Sequence, residues 1–205
     1  MEESCSTQTS TTLDKQFWET QWQTGETGWD MGRVSPPLKE YIDQIVNKDL
    51  AILIPGCGNT YEAEYLLQQG FNNVTVIDIS PLLVENLRKK FAADLGKRIN
   101  VIEGDFFELK GKYDLVLEQT FFCALEPKLR MKYVWKMDEL LSKGGRLVGL
   151  LFDKVFDKAG PPFGGSKAEY EMLFVPYFNI HTMATCHNSH PKRAGAELFI
   201  NLIKS

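Results

Sequence analysis

Apolar and polar positions along the chain change rhythm three times, and each change marks a different kind of element. Between Leu13 and Met31 a stretch full of Gln, Thr and Glu carries Phe17, Trp18, Trp22 and Trp29. Spacings of four and seven residues place Trp18, Trp22 and Trp29 on one helical face, with Gly25 and Gly28 breaking the helix before Trp29. A ring stripe of this kind packs on a core or covers something else, and periodicity alone leaves both open. Pro36 and Pro37 then open a helix that runs to about residue 46, with Ser35 as its N-cap. From Leu50 short apolar runs alternate with helical patterns. Strands are predicted at 51–54, 74–77, 100–102, 114–117 and 147–152. The helices between them are predicted at 60–69, closed by Gly70, at 81 to about 95, capped by Ser80, and at 127–141, ended by Gly144 and Gly145. Such alternation specifies an α/β chain, a mostly parallel sheet with helices on both faces.

The last fifty residues follow neither rhythm. Residues 153–165 are too rich in glycine and proline for regular structure. A short helix is predicted at 166–173, with Ser166 as cap and Glu169 at capping-box spacing. Two strands, 178–185 and 196–203, flank a polar turn at 190–195 and form a C-terminal hairpin that adds one antiparallel strand at or near the sheet edge. No internal repeat or linker divides the chain. The expected organisation is a disordered leader, 1–12, before one domain, 13–205.

Composition narrows the picture. A chain of 205 residues with 43% hydrophobic and 12% aromatic residues can close a core, which excludes disordered and fibrous classes. Twenty-three basic against 27 acidic residues give a net charge of −4, and no basic block tracks a phosphate backbone, so nucleic acid is not the expected partner. No apolar run approaches the roughly 20 residues of a membrane helix, and a cytoplasmic, unanchored monomer acting on a small molecule is expected. Cys5, Cys57, Cys123 and Cys186 form no Cys-x-x-Cys pair and read as free thiols. His181, His187 and His190 lack metal-ligand spacing, and no metal site is expected.

The chemistry concentrates where strands end. Ile52-Leu53-Ile54-Pro55-Gly56-Cys57-Gly58-Asn59-Thr60 is a buried strand entering a glycine turn and a helix, and Gly56 and Gly58 leave the backbone open to a ligand. A structural turn accounts for Gly-x-Gly alone equally well. Asp78, about 20 residues on at the end of the next strand, can accept from ribose hydroxyls, so the pair points to an adenosine-type ligand. A dinucleotide fits poorly, because Tyr61 stands where the third glycine of Gly-x-Gly-x-x-Gly belongs. S-adenosylmethionine has no pyrophosphate and fits. Asp105 and Phe106, after the third strand, are candidates for the adenine amino group and ring; a helix cap and a core Phe explain them equally well when taken alone.

These residues and others resemble the thiopurine methyltransferase-like class I methyltransferases, and among them the halide/thiol methyltransferases. The resemblance runs through Phe17-Trp18-Glu19, Trp22, Thr27-Gly28-Trp29-Asp30, the glycine turn, Val76-Ile77-Asp78-Ile79-Ser80 and Gly104-Asp105-Phe106-Phe107. It continues through Tyr113-Asp114-Leu115-Val116, Phe122-Cys123-Ala124-Leu125-Glu126-Pro127 and Gly160-Pro161-Pro162-Phe163. It implies a Rossmann-like class I methyltransferase fold and a lid of Trp18, Trp22 and Trp29 over the cofactor. It further implies Gly56 and Gly58 at the methionine part, Asp78 on the ribose, and Asp105 with Phe106 at the adenine. Gln119 aligns with a cofactor-contacting position that is often Tyr in the plant enzymes. Phe152 stands where a Tyr often lines the acceptor site, and losing that hydroxyl costs an anion about 1.5 to 3 kcal/mol.

With Trp29, Arg33, Gln119 and Phe152 as pocket candidates, the expected reaction is methyl transfer to a small soft nucleophile, a thiol or hydrosulfide, with halides less favoured. Another soft acceptor, such as tellurite or an aromatic thiol, and a cofactor-binding protein without catalysis are the alternatives. Arg33 either guides an anionic acceptor or forms a surface salt bridge. No catalytic residue is expected, since a thiolate needs no base, and Cys57 and Cys123 read as buried small hydrophobes.

Overall fold

The computed structural model describes residues 12–158 and 160–205. Residues 1–11, which hold most of the expected leader and Cys5, lie outside the described residues. Seven strands form one sheet: β1 (Ile52–Pro55), β2 (Val74–Asp78), β3 (Ile99–Glu103), β4 (Tyr113–Gln119), β5 (Leu141–Phe152), β6 (Phe178–Thr185) and β7 (Glu197–Lys204). Their order is β3-β2-β1-β4-β5-β7-β6. The first five pair in parallel, and β7 runs antiparallel to both neighbours, one strand in from the edge. Among the described residues six α-helices accompany them: α1 (Lys15–Thr24), α2 (Pro36–Asp43), α3 (Tyr61–Gln68), α4 (Pro81–Lys90), α5 (Arg130–Leu140) and α6 (Lys167–Phe174).

Strand alternation sorts the helices onto two faces. Ile52, Ile54, Val74, Val76, Leu115 and Leu117 face one way and pack with Leu38 and Ile42 of α2, Ala63 and Leu66 of α3, and Leu83 and Leu87 of α4. Leu53, Ile77 and Val116 face the other way and join Tyr133 and Met137 of α5 with Tyr170 and Phe174 of α6. The mostly parallel sheet, its helices and the C-terminal antiparallel strand follow the sequence pattern.

Several boundaries do not. α5 is preceded by a separate turn of 3-10 helix, Pro127–Leu129, and ends at Leu140. The expected glycine stop is instead a bulge inside β5, which starts at Leu141: pairing with β4 jumps from Tyr113↔Leu141 to Leu115↔Arg146. Gly145 is required there because an added Cβ would stand 2.8 Å from the Ser142 carbonyl oxygen. α2 stops at Asp43 and α4 at Lys90, earlier than predicted. Ser80 and Ser166 cap their helices through the side chain, accepting from Leu83 and Glu169 N–H, whereas Ser35 does not; its N–H donates to buried Glu62. The Glu169 carboxylate does not close a capping box, because it pairs with Arg130 at 2.7 Å.

Candidate active site

The carboxyl ends of β1, β2, β3 and β4 open into one cleft of about 1610 Å³. This exceeds the roughly 300 to 1,000 Å³ of a pocket for one drug-sized molecule, so it has room for two small ligands. The strand order reverses between β1 and β4, and ligands of open α/β sheets bind at such a switch point.

The glycine turn forms the floor. Gly56 sits at φ +52°, and a Cβ there would lie 2.1 Å from the Phe121 ring, so only glycine lets that ring lie against the backbone. The Trp22 ring lies over Gly58 in the same way, at ordinary contact distance from a Cβ placed there. Asp78 ends β2 with only 9% of its surface exposed. Its carboxylate accepts from the N–H of Ser80 at 3.0 Å and of Gly58 at 3.3 Å. Burial holds the carboxyl above the usual range, against the lowering effect of those donors. Asp105 caps the short 3-10 turn Phe106–Glu108 by accepting from Phe107 N–H at 2.8 Å. Phe106 packs in the core, 5.1 Å from the Phe121 ring and 5.8 Å from Tyr133. Both also border the cleft, so the cap and core contacts coexist with a ligand-facing position.

Above the floor stands α1, which buries none of its residues completely. Of the tryptophan stripe, Trp22 packs against the edge of the core while remaining partly exposed. Trp18, Trp22 and Trp29 line the cleft, with Trp29 edge-on to Trp18 at 5.6 Å and to Trp22 at 5.9 Å. Gly25, at φ +72°, ends the helix between them as the sequence predicts. Two polar ties fasten this helix across the strand ends. Lys15 pairs with Glu103 at 2.8 Å, and Glu19 accepts from the Ser80 hydroxyl at 2.5 Å and from Leu82 N–H at 3.3 Å. Asp30 continues the fastening, taking hydrogen bonds from the Asn59 amide and, at 3.2 Å, from the Tyr61 hydroxyl.

The opposite wall comes from β4, β5 and the C-terminal segments. Gln119 lines it, and its side-chain oxygen is buried with no partner among the described residues, as is the Thr60 hydroxyl on the floor. Unpaired buried polar atoms bordering a cleft mark places where a ligand completes the hydrogen bonding. Phe152 is half-buried, edge-on to Phe156 at 5.0 Å, and the Arg193 guanidinium stands 5.5 Å from its ring centre. Phe121, Phe163, Trp29 and exposed Arg33 also border the cleft. Arg33 has no carboxylate partner among the described residues.

Two residues escape sequence reasoning. Glu118 is fully buried and accepts from the N–H of Phe121 at 2.8 Å and of Phe122 at 2.9 Å, and from the Tyr133 hydroxyl at 2.7 Å. These bonds hold Thr120 at φ +62°, a left-handed conformation costing a β-branched residue about 1 to 3 kcal/mol, and so set the Phe121 ring on Gly56. Burial raises the Glu118 carboxyl to about 7. Arg193, only 8% exposed, donates to the Trp29 carbonyl at 2.8 Å and pairs with Glu197 at 3.3 Å, joining the segment after α1 to the hairpin. Nothing periodic in 190–195 signals it; an isolated Arg in a turn reads as solvent-exposed. Cys57 and Cys123 are buried, and burial pushes both thiols up, Cys123 to about 12, so neither is a thiolate at neutral pH.

Comparison with known proteins bears on what this cleft holds. The family model described as thiopurine S-methyltransferase matches residues 13–200. A probable thiol methyltransferase 2 of Arabidopsis thaliana is 35% identical over 162 residues, covering 78% of this chain and 71% of that protein. Thiocyanate methyltransferase 1 of Brassica oleracea is 29% identical over 168 residues, covering 80% and 74%. Among solved structures, the 1,6-didemethyltoxoflavin-N1-methyltransferase of Burkholderia thailandensis, with bound 1,6-didemethyltoxoflavin and S-adenosylhomocysteine, superposes with a TM-score of 0.75 at 18% identity, over 94% of this chain and 88% of that one.

Proposed function

The chain belongs to the thiopurine S-methyltransferase family and is an S-adenosylmethionine-dependent methyltransferase, and from that premise we propose that its acceptor is a small thiol or hydrosulfide. The cofactor supplies a methyl group made electrophilic by a sulfonium sulfur. The residues fit such a guest: Gly56 and Gly58 border the cleft beside the Phe121 and Trp22 rings, where its methionine part would lie, and Asp78 stands ready for two ribose hydroxyls. Asp105 and Phe106 hold the adenine by hydrogen bond and packing. Gln119, whose side-chain oxygen has no partner among the described residues, would contact the cofactor. Trp18, Trp22 and Trp29 close over it and exclude water.

One observation carries the choice of acceptor. The wall facing the glycine turn is aromatic, built from Trp29, Phe121, Phe152 and Phe163, and among the described residues no histidine lines the cleft. An oxygen or nitrogen acceptor of high pKa needs a base to lose its proton, whereas a thiolate attacks unaided. Soft, polarizable sulfur also suits contact with ring edges and faces. The chain's contribution is then to align the sulfur with the methyl group and keep water out, and such positioning is worth about 7 to 11 kcal/mol in well-oriented systems. Phe152 offers no hydroxyl to a hard anion, which favours sulfur over halide.

Headspace gas chromatography of the purified protein with S-adenosylmethionine and either hydrosulfide or iodide tests this reading. Methanethiol without comparable methyl iodide is expected. Equal rates would remove the argument from Phe152, and no volatile product from hydrosulfide or S-methylation of simple thiols would remove the acceptor assignment.

A further inference from the structure

The charged residues around the cleft are not evenly distributed. Its cofactor end carries Asp30, Glu62, Asp78 and Asp105 on the wall, together with Lys15, which is paired to Glu103, and Lys132. The stretch from Phe152 to Ala196 contributes Lys154, Lys158, Lys192 and Arg193 and no carboxylate to the same wall. Arg33 borders the cleft as well.

Two of these cations stand at the Phe152–Phe156 pair. The Arg193 guanidinium stands 5.5 Å from its ring centre, and Phe156, packed edge-on against Phe152, has the Lys154 ammonium 5.4 Å from its own ring centre. Arg33, Arg193 and Lys192 all act on His190 strongly enough to disfavour its protonation, after the larger effect of desolvation, so the three share one patch. Glu197 offsets Arg193. Arg33, Lys154, Lys158 and Lys192 have no carboxylate partner among the described residues. Unpaired like charges repel, and a cleft that focuses their field attracts an anion.

Hydrosulfide or a simple thiolate carries its single negative charge on the attacking sulfur, against the sulfonium. It leaves a rim of four cations with nothing to hold. Resting on the thiol reading above, we infer that the acceptor is a thiol bearing a carboxylate, with the sulfur over Phe152 and the carboxylate at the Arg33, Lys154 and Lys192 rim. The thiol proton goes to water before attack. A sulfur lone pair then forms the new S–CH3 bond while the methyl–sulfonium bond breaks and its electron pair stays on the departing thioether sulfur. The product keeps its carboxylate and loses its thiolate charge.

The experiment compares 3-mercaptopropionate with its uncharged methyl ester, reading S-adenosylhomocysteine release per thiolate at low and at physiological ionic strength. About tenfold higher kcat/KM for the carboxylate at low salt is expected, narrowing as salt is added. The triple variant Lys154→Glu, Lys158→Glu, Lys192→Glu is expected to reduce the carboxylate's kcat/KM to that of the ester or below, with affinity for S-adenosylhomocysteine serving as the check on folding. A readout without turnover, titration of 3-(methylthio)propionate into the S-adenosylhomocysteine complex, should show the same salt and variant dependence. Equal, salt-independent kcat/KM for the two thiols would overturn this inference and leave thiol methylation standing. Methylation of neither would overturn both.

Discussion

The two ends of the cleft are built on opposite plans. At the cofactor end the carboxylates are already engaged by the fold, Asp78 by Gly58 and Ser80, Asp105 by Phe107 and Glu19 by Ser80, while the Gln119 oxygen and the Thr60 hydroxyl have no partner among the described residues. At the acceptor end the lining is aromatic rings and cations without carboxylate partners, carried on a glycine- and proline-rich segment and a hairpin turn. The first plan fixes the position of each atom and reads one molecule. The second sets only polarity, size and charge, and leaves the acceptor to be chosen by general chemistry.

The largest effect expected from breaking the cofactor end is that of Asp78→Ala. Two hydrogen bonds to a charged carboxylate are worth at least about 3 kcal/mol, or a hundredfold, and calorimetric titration with S-adenosylhomocysteine should show that loss. Unchanged affinity would remove Asp78 from the ribose.

Glu118, at the junction of the two ends, sharpens the contrast through pH. Its carboxyl is raised to about 7 in the folded chain, so the stability it supports is fully present below the unfolded value of about 4.3 and is lost as pH rises towards 7. That loss is on the order of 3 kcal/mol. Urea unfolding between those pH values should show the decline in the parent chain and a flatter profile in Glu118→Gln; equal slopes would show that the decline originates elsewhere.

Gly56→Ala puts a methyl into the Phe121 ring at a positive φ, which should lower stability by about 2 kcal/mol. Part of that should return in the double variant with Phe121→Ala, if the ring contact is the cause. Smallest is Phe152→Tyr, which should lower KM for iodide about tenfold through one regained hydrogen bond and leave affinity for S-adenosylhomocysteine unaltered. A change in the latter would mean the two ends are coupled.

Short apolar runs and period-3.6 patterns located the seven strands and six α-helices of the described residues; β1 and β2 read as unbroken runs because they are buried along their whole length. They misplaced the start of β5, since Gly144 and Gly145 serve a helix stop and a strand bulge with the same dipeptide. The glycine turn and Asp78 stood out because backbone geometry and a strand end confine them to few residue types. Glu118 and Arg193 did not. A charged residue within an apolar strand, or alone in a turn, shows its role only through partners distant in sequence, as Arg193 does with the Trp29 carbonyl.

The account rests on the cofactor end reading S-adenosylmethionine as described. A crystal structure with S-adenosylhomocysteine tests this most directly. It should show the ribose hydroxyls on Asp78, the adenine between Asp105 and Phe106 under the α1 tryptophans, and the sulfur facing Phe152. A ribose bound elsewhere, or a sulfur turned away from the Phe152 wall, would contradict it.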